Sequence, residues 1–284
     1  MDALRITRFT RVVLSLDFVF SLVAGGVLYA LSTHTARYFA WTIKLPVTAT
    51  FLGAGYLGAV VTLILSYRAT DWRLVRSLPV MGFTLTSTTL LVTLWHLELF
   101  HLRKGSALAR IAGWTWLVVY VVIPILLAAV FVLQERAGGR DAYRPVEPIV
   151  PLMRAALLGQ AVGATILGLG LVFWASAVDV VWPWPLTPLT AGAVGAWLLT
   201  LAAGSWWALR EGDWVTFRTG VAGLAAFFGL VVVGAIRYSA PLDAGAWQDW
   251  TFFGALAAAV VVFAVAGWQQ ESRPVETAKA QAPV

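Results

Sequence analysis

Eight runs of about twenty consecutive apolar residues leave this chain few ways to fold. A bilayer core about 30 Å thick is crossed by about 20 helical residues, each rising about 1.5 Å. Runs of that length fall at 12–32, 47–67, 78–99, 111–133, 155–178, 188–209, 217–237 and 249–268 of the 284 residues. Strands of membrane barrels are shorter, about 9–11 residues, and alternate apolar with polar. These runs are apolar throughout, so helices are expected. Composition agrees: 60% of residues are hydrophobic and 12% charged, against about 45–50% and about 25% in soluble proteins. The fold class expected is an all-α polytopic membrane protein with eight transmembrane helices. The first run follows Arg5, Arg8 and Arg11. It is longer than the apolar core of a secretory signal, about 7–15 residues, and has a counterpart in the second half, so it reads as a span.

Orientation follows from the basic residues. Of 20 Lys and Arg, 14 lie in the N-terminus, the alternate loops near 68–76, 134–154 and 210–218, and the C-terminal tail. The other six are Arg37, Lys44, Arg103, Lys104, Arg110 and Arg237. Positive charge is retained on the cytoplasmic side, so both termini are expected there. That topology sends Trp41, Trp114, Trp182, Trp184 and Trp247 toward the outer interface and Trp72 and Trp214 toward the inner one, the depth indole favours. Residues 134–153 read as a cytoplasmic linker and 269–284 as a disordered cytoplasmic tail.

A repeat with an offset of 142 residues divides the chain into parts 1–133 and 154–268. Pro46, Thr48, Ala49, Gly53 and Ala54 match Pro188, Thr190, Ala191, Gly195 and Ala196. Arg68, Asp71, Trp72 and Arg76 match Arg210, Asp213, Trp214 and Arg218 without a gap. Ten of 31 positions are identical over 46–76 against 188–218. Each part carries four spans, an even number, so the expectation is two parallel four-helix repeats related about the membrane normal. Pro at the first helical position needs no backbone donor, and Thr187 is placed to cap the sixth helix. Small residues at Gly53, Ala54, Gly58, Gly192, Gly195 and Ala196 allow close helix packing. Asp71 and Asp213 are expected to cap the third helix of each part, with the neighbouring Arg facing lipid phosphates.

The segments Phe39-Ala40-Trp41-Thr42-Ile43, Pro46-Val47-Thr48-Ala49, Phe51-Leu52-Gly53-Ala54-Gly55-Tyr56 and Trp184-Pro185-Leu186-Thr187-Pro188-Leu189-Thr190-Ala191 resemble a group of uncharacterised bacterial multi-pass membrane proteins. Trp95-His96-Leu97-Glu98-Leu99-Phe100-His101 looks like part of the same pattern. The resemblance implies a multi-pass protein of the bacterial inner membrane and carries no catalytic residues over.

Polar residues of the spans and their ends are the candidates for chemistry, because burial in lipid is costly unless they are partnered or hydrated. The third run carries Thr84, Thr86, Ser87, Thr88, Thr89 and Thr93, then His96, Glu98 and His101. With His34, Arg237 and Tyr238 these form a candidate outer polar group, and an Arg237–Glu98 pair is one arrangement open to it. Three imidazoles and a carboxylate are donors for a divalent metal or a proton relay. On one helix, however, His96 and His101 lie about 140° apart, unlike an i, i+4 zinc pair. Any metal or haem site would need other helices, and no cofactor is expected. Asp17, within the first span, is the candidate coupling carboxylate, with Gln160 at nearly the same place in the fifth. Reaching the cytoplasmic interface or bonding Arg154 is the plain alternative for either. Asp179, Asp243 and Asp249 are expected in solvated outer loops.

No cysteine is present, which excludes thiolate metal sites, disulfides and thiol catalysis. No phosphate-binding glycine loop, dinucleotide fingerprint, His-Glu-x-x-His or Gly-x-Ser-x-Gly occurs. The net charge of +6 is scattered over short flanks, so nucleic acid is not an expected partner. The expected partners are the lipid bilayer and, beyond it, another membrane protein or a second copy. Three functions fit: a carrier of a small or lipophilic solute, a non-enzymatic accessory or regulatory subunit of a membrane complex, and a haem, metal or quinone redox protein.

Overall fold

The computed structural model describes residues 5–138, 147–178, 181–242 and 245–272. Eight long helices account for most of them: α1 Arg8–Ala30, α2 Pro46–Tyr67, α3 Ser77–Trp95, α4 Ala107–Gly138, α5 Pro151–Phe173, α6 Pro188–Glu211, α7 Trp214–Arg237 and α8 Trp247–Glu271. All eight are long and apolar enough to cross a membrane, and the protein is an all-α polytopic membrane protein. The exposed surface carries large apolar side chains such as Ile125, Ile166, Ile236 and Trp268, each about two-thirds exposed or more. A soluble monomer rarely shows apolar patches of such extent; here they meet lipid.

Local chemistry sets the helix starts. Pro46, Pro151 and Pro188 each stand in the first turn, where a missing N–H leaves nothing unsatisfied. Thr187 caps α6 in a reciprocal box with Thr190, as its position before Pro188 suggests. Asp213 caps α7 through the Val215 N–H, whereas Asp71 caps a single 3-10 turn, Trp72–Leu74, that precedes α3. Within the spans, hydroxyls donate back to the preceding turn: Thr84 to the Val80 carbonyl, Thr86 to Gly82, Thr93 to Thr89 and Thr200 to Ala196. Such bonds let threonine sit inside lipid without seeking a distant partner. The third run therefore needs no polar channel to account for its threonines.

Helices α2 and α6 form the centre. Their spanning segments are 78% and 67% buried, against 11–33% for the other six. Helix α1 packs on α2 and α5 on α6; α2 also packs on α7, and α3 on α6. Helix α4 lies along α3, while α8 has few contacts, with α5 and α7. Glycine allows the closest crossings. A Cβ at Gly53 would lie 2.8 Å from the Tyr29 nitrogen on α1, and one at Gly195 would lie 2.7 Å from the Gly168 carbonyl oxygen on α5.

Two glutamines clamp the segments leading into α1 and α5. Gln134 Oε1 accepts from the Thr7 N–H at 2.9 Å, and its Nε2 donates to the Arg5 carbonyl at 3.3 Å. Gln270 Oε1 accepts from the Val150 N–H at 2.9 Å, and its Nε2 donates to the Pro148 carbonyl at 3.2 Å. Beside the first clamp, Trp72 packs with Ile6, Leu127 and Val130; beside the second, Trp214 packs with Ile149, Phe263 and Ala266.

Several expectations are corrected. Helix α4 continues through Gln134 and Glu135, and α8 to Glu271, because those polar residues bond to the protein rather than to water. Residues 139–146 of the expected linker and 273–284 of the expected tail lie outside the described residues. Helix α3 stops at Trp95, so His96, Glu98 and His101 occupy a turn and an extended segment. Trp41, Trp72, Trp182, Trp184 and Trp214 are buried among protein side chains, while Trp114 and Trp247 are exposed. Trp41 and Trp182 stack with Phe39, Phe51, Trp116 and Trp184, so ring packing outweighs any gain from lipid headgroups. Asp249 is buried in the first turn of α8, not solvated; Asp179 and Asp243 lie outside the described residues.

Candidate functional site

The expected outer polar group does not assemble. The segment after α3 lies against residues 39–42, and His101 pins the two together. Its backbone N–H donates to the Ala40 carbonyl at 2.8 Å, and its Nδ1 lies 2.9 Å from the Phe39 carbonyl oxygen. A carbonyl only accepts, so Nδ1 carries the proton and Nε2 is left to accept from the Thr42 hydroxyl at 3.1 Å. His101 is thus a structural pin. His34 Nδ1 pairs with the neighbouring Thr33 hydroxyl. His96 ends α3, and Glu98 is exposed at the edge of a cleft of about 760 Å³ that also holds Lys44, His101, Arg103 and Lys104. Arg237 stacks over the Tyr238 ring at 5.0 Å instead of pairing with Glu98, and Ser32 donates to the Tyr238 hydroxyl at 2.8 Å. No three metal-ligating side chains come together among the described residues.

At the opposite end the motif residues behave unequally. Arg73, in the turn after Asp71, binds its carboxylate at 2.6 Å. Partial burial raises the Asp71 carboxyl, but the side-chain and backbone hydrogen bonds from Arg73 outweigh it and hold the group below its usual range. Arg76 turns inward rather than toward lipid phosphates. Its guanidinium reaches Glu135 at 2.9 Å and Glu211 at 3.0 Å, and lies over Trp207 at 5.3 Å. Trp72 donates to the other Glu135 oxygen at 2.9 Å. Its repeat partner Arg218 is exposed. Position 211, which partners Arg76, is Glu, whereas the matching position 69 is Ala.

Asp17 stands at the tenth residue of α1, about 14 Å along the helix axis. It lines a cavity of about 100 Å³ enclosed by α1, α2, α3, α6 and α7, with the hydroxyls of Ser21, Thr62, Thr86 and Thr200 in an otherwise apolar wall. It does not bond Arg154. Among the described residues it has no hydrogen bond or ion pair. The phenols of Tyr56 and Tyr120 hydrogen-bond one another, and both are near enough to feel the Asp17 charge. The Tyr56–Tyr120 phenol pair joins α2 to α4, a contact that hydropathy alone gave no means to find.

The second half holds a wider space. A crevice of about 690 Å³ runs between α5, α6, α7 and α8, with Gln160 as the polar side chain deepest along α5. Leu201 and Phe227 line both this crevice and the Asp17 cavity, so the two share a wall. Comparison of the chain with protein-family models, curated proteins and solved structures finds no match in any of the three.

Proposed function

We propose that this integral membrane protein is a carrier of the bacterial inner membrane, with both termini cytoplasmic and two parallel four-helix repeats moving about the cavity between them. The single observation that carries the reading is Asp17: among the described residues it is the only ionisable side chain lining a cavity to which helices from both halves contribute. An unpaired carboxylate at that depth is costly as an anion and is neutralised by a proton or a cation, which is the property a coupling site requires. The paired contacts support the repeat: α1 on α2 with α5 on α6, and α2 on α7 with α3 on α6. So do the two glutamine clamps. The Arg76–Glu211 bridge ties the halves together at the expected cytoplasmic end and would have to part when the cavity opens there.

The absence of cysteine makes the test direct. Thr62→Cys and Thr200→Cys place single thiols in the cavity wall. A carrier exposes each to a membrane-impermeant maleimide from either face of oriented vesicles, and Asp17→Asn shifts the ratio between faces. Thiols that react from neither face, in folded protein, refute the carrier. The accessory-subunit reading then stands in its place. One observation favours it: α8 is only 11% buried over its spanning segment, with Val261 and Trp268 exposed, an apolar flank that suits a partner helix.

A further inference from the structure

The two glutamine clamps give a register for comparing the halves helix by helix. Thr7 corresponds to Val150 at the start of the first helix of each half, and Gln134 to Gln270 at the end of the fourth. Counting along the helices, Asp17 corresponds to Gln160 and Phe20 to Gly163; Trp116, Tyr120 and Ile123 correspond to Phe252, Leu256 and Ala259. In the first half this space is full. The Phe20 ring lies 6.0 Å from Trp116 and 5.7 Å from Tyr120, and Trp116 and Tyr120 lie 4.3 Å apart. Both are buried, and the Tyr120 hydroxyl is bonded to Tyr56. In the second half Phe20 has become glycine and Tyr120 leucine. The Phe20 and Tyr120 rings and the hydroxyl have no counterpart, though Phe252 keeps a ring at the place of Trp116, and the crevice of about 690 Å³ is lined by Gly163, Phe252 and Leu256. A Cβ added at Gly159 or Gly163 would meet nothing within 4 Å.

One polar group stands in this space without a partner. Gln160 is the tenth residue of α5, about 14 Å along its axis and so well below the headgroups. Among the described residues its carboxamide makes no hydrogen bond, and its Oε1 is buried and unpaired. A buried amide left unpaired is unfavourable. A carboxamide offers both a donor and an acceptor, and a hydroxyl answers either. Bulk phospholipid cannot supply that hydroxyl at this depth, because its polar groups stay at the interface. A charged ligand is disfavoured, because no ionisable side chain lines the crevice among the described residues.

We infer that the crevice between α5 and α8 binds an uncharged, ring-bearing lipophile with one hydroxyl, taken from the bilayer. Its ring occupies the space that Phe20 and Tyr120 fill in the first half, and its hydroxyl pairs with Gln160. The alkylphenols are the simplest members of this class. The site stands whether or not the halves move, since none of its lining groups is Asp17.

The test compares 4-dodecylphenol with dodecylbenzene, which differ only in the hydroxyl, by thermal unfolding of the purified full chain at equal mole fractions in detergent. Ligand at ten times its Kd raises Tm by about 3 °C or more. The phenol is expected to give the larger rise. Gln160→Leu removes the difference between the two probes. Gly163→Phe and Ala259→Phe, which fill the crevice from opposite walls, remove the response to both, and either serves if the other fails to fold. Equal rises with both probes in the unaltered protein refute recognition of the hydroxyl. A phenol response that survives both filled variants places binding elsewhere and refutes the site. Neither outcome bears on maleimide access to the Asp17 cavity, so this inference and the carrier reading fail separately.

Discussion

Replacing Arg76 tests whether the bridge to Glu135 and Glu211 behaves as a buried ion network or as surface decoration. The guanidinium is 11% exposed and its two partners, Glu135 and Glu211, are 26% and 9% exposed. An exposed pair contributes about 0–1 kcal/mol, whereas removing one member of a buried pair costs about 3–5 kcal/mol, because the charge left behind has lost its solvent and its partner. Glu211 is the enclosed member and Glu135 still reaches solvent, so Arg76→Ala is expected near the low end, about 3 kcal/mol. At about 2–4 °C per kcal/mol, extrapolated from soluble domains, thermal unfolding in micelles should fall by about 6–12 °C. Arg76→Met combined with Glu211→Leu removes both charges and keeps the volume, so it should recover most of that loss. Arg218→Ala, the exposed counterpart, should change stability by less than about 1 kcal/mol. A loss below about 1 kcal/mol for Arg76→Ala, or a double variant whose loss is the sum of the two singles, would refute the reasoning.

Gln134→Leu and Gln270→Leu each remove two hydrogen bonds to backbone and should each cost about 1–3 kcal/mol by thermal unfolding; a loss confined to one of them would count against equivalent clamps. Gly53→Val brings a side chain to within 2.8 Å of the α1 backbone and should destabilise the fold by more than about 1 kcal/mol, whereas Gly163→Ala, which meets open space, should be neutral or stabilising. The Asp71 carboxyl is held low in the folded state, so its contribution is present above its unfolded value of about 4 and is lost as pH falls through the folded value. Asp71→Asn should therefore flatten the acid limb of a stability–pH curve and leave its form above pH 6 unchanged.

The spans were legible because hydropathy records a match to lipid, and all eight runs became helices. The ends were less so. Arg8 and Arg11 lie inside α1, Gln134 and Glu135 inside α4, and Gln270 inside α8, although none belongs in lipid. Arg11 donates to the Tyr67 and Ala69 carbonyls, and Gln134 and Gln270 to the segments they clamp, so these helices extend through protein contacts that no local pattern announces. The same limit explains the histidines. Treating 78–99 as one helix put His96 and His101 on different faces of it, but the chain leaves the helix at Trp95 and His101 finds its partners more than fifty residues away. The Arg76 and Arg218 pair shows it once more: within identical motifs, Arg76 turns to Glu135 and Glu211 far along the chain, whereas Arg218 is exposed.

The crevice could not be read from sequence at all, since it consists of side chains that are missing relative to the other half. Gly163 in an apolar helix reads as packing, and only the register supplied by Gln134 and Gln270 sets it against Phe20. The same comparison sets Gln160 against Asp17. Both stand at the tenth residue of their helix, and among the described residues neither has a hydrogen-bond partner. In the first half the carboxylate faces a small cavity beside the phenols of Tyr56 and Tyr120; in the second the amide faces a space open between α5 and α8. Packing for stability alone would have filled both spaces, because an empty apolar volume forfeits contacts on every wall. The first half has the Phe20 and Tyr120 rings and a carboxylate, while the second has Gly163 and Leu256 in their places and an uncharged carboxamide. Leu201 and Phe227 line both spaces, so the crevice and the Asp17 cavity share a wall. If the crevice takes a lipophile and Asp17 a proton, as proposed, that shared wall is where the two events would meet.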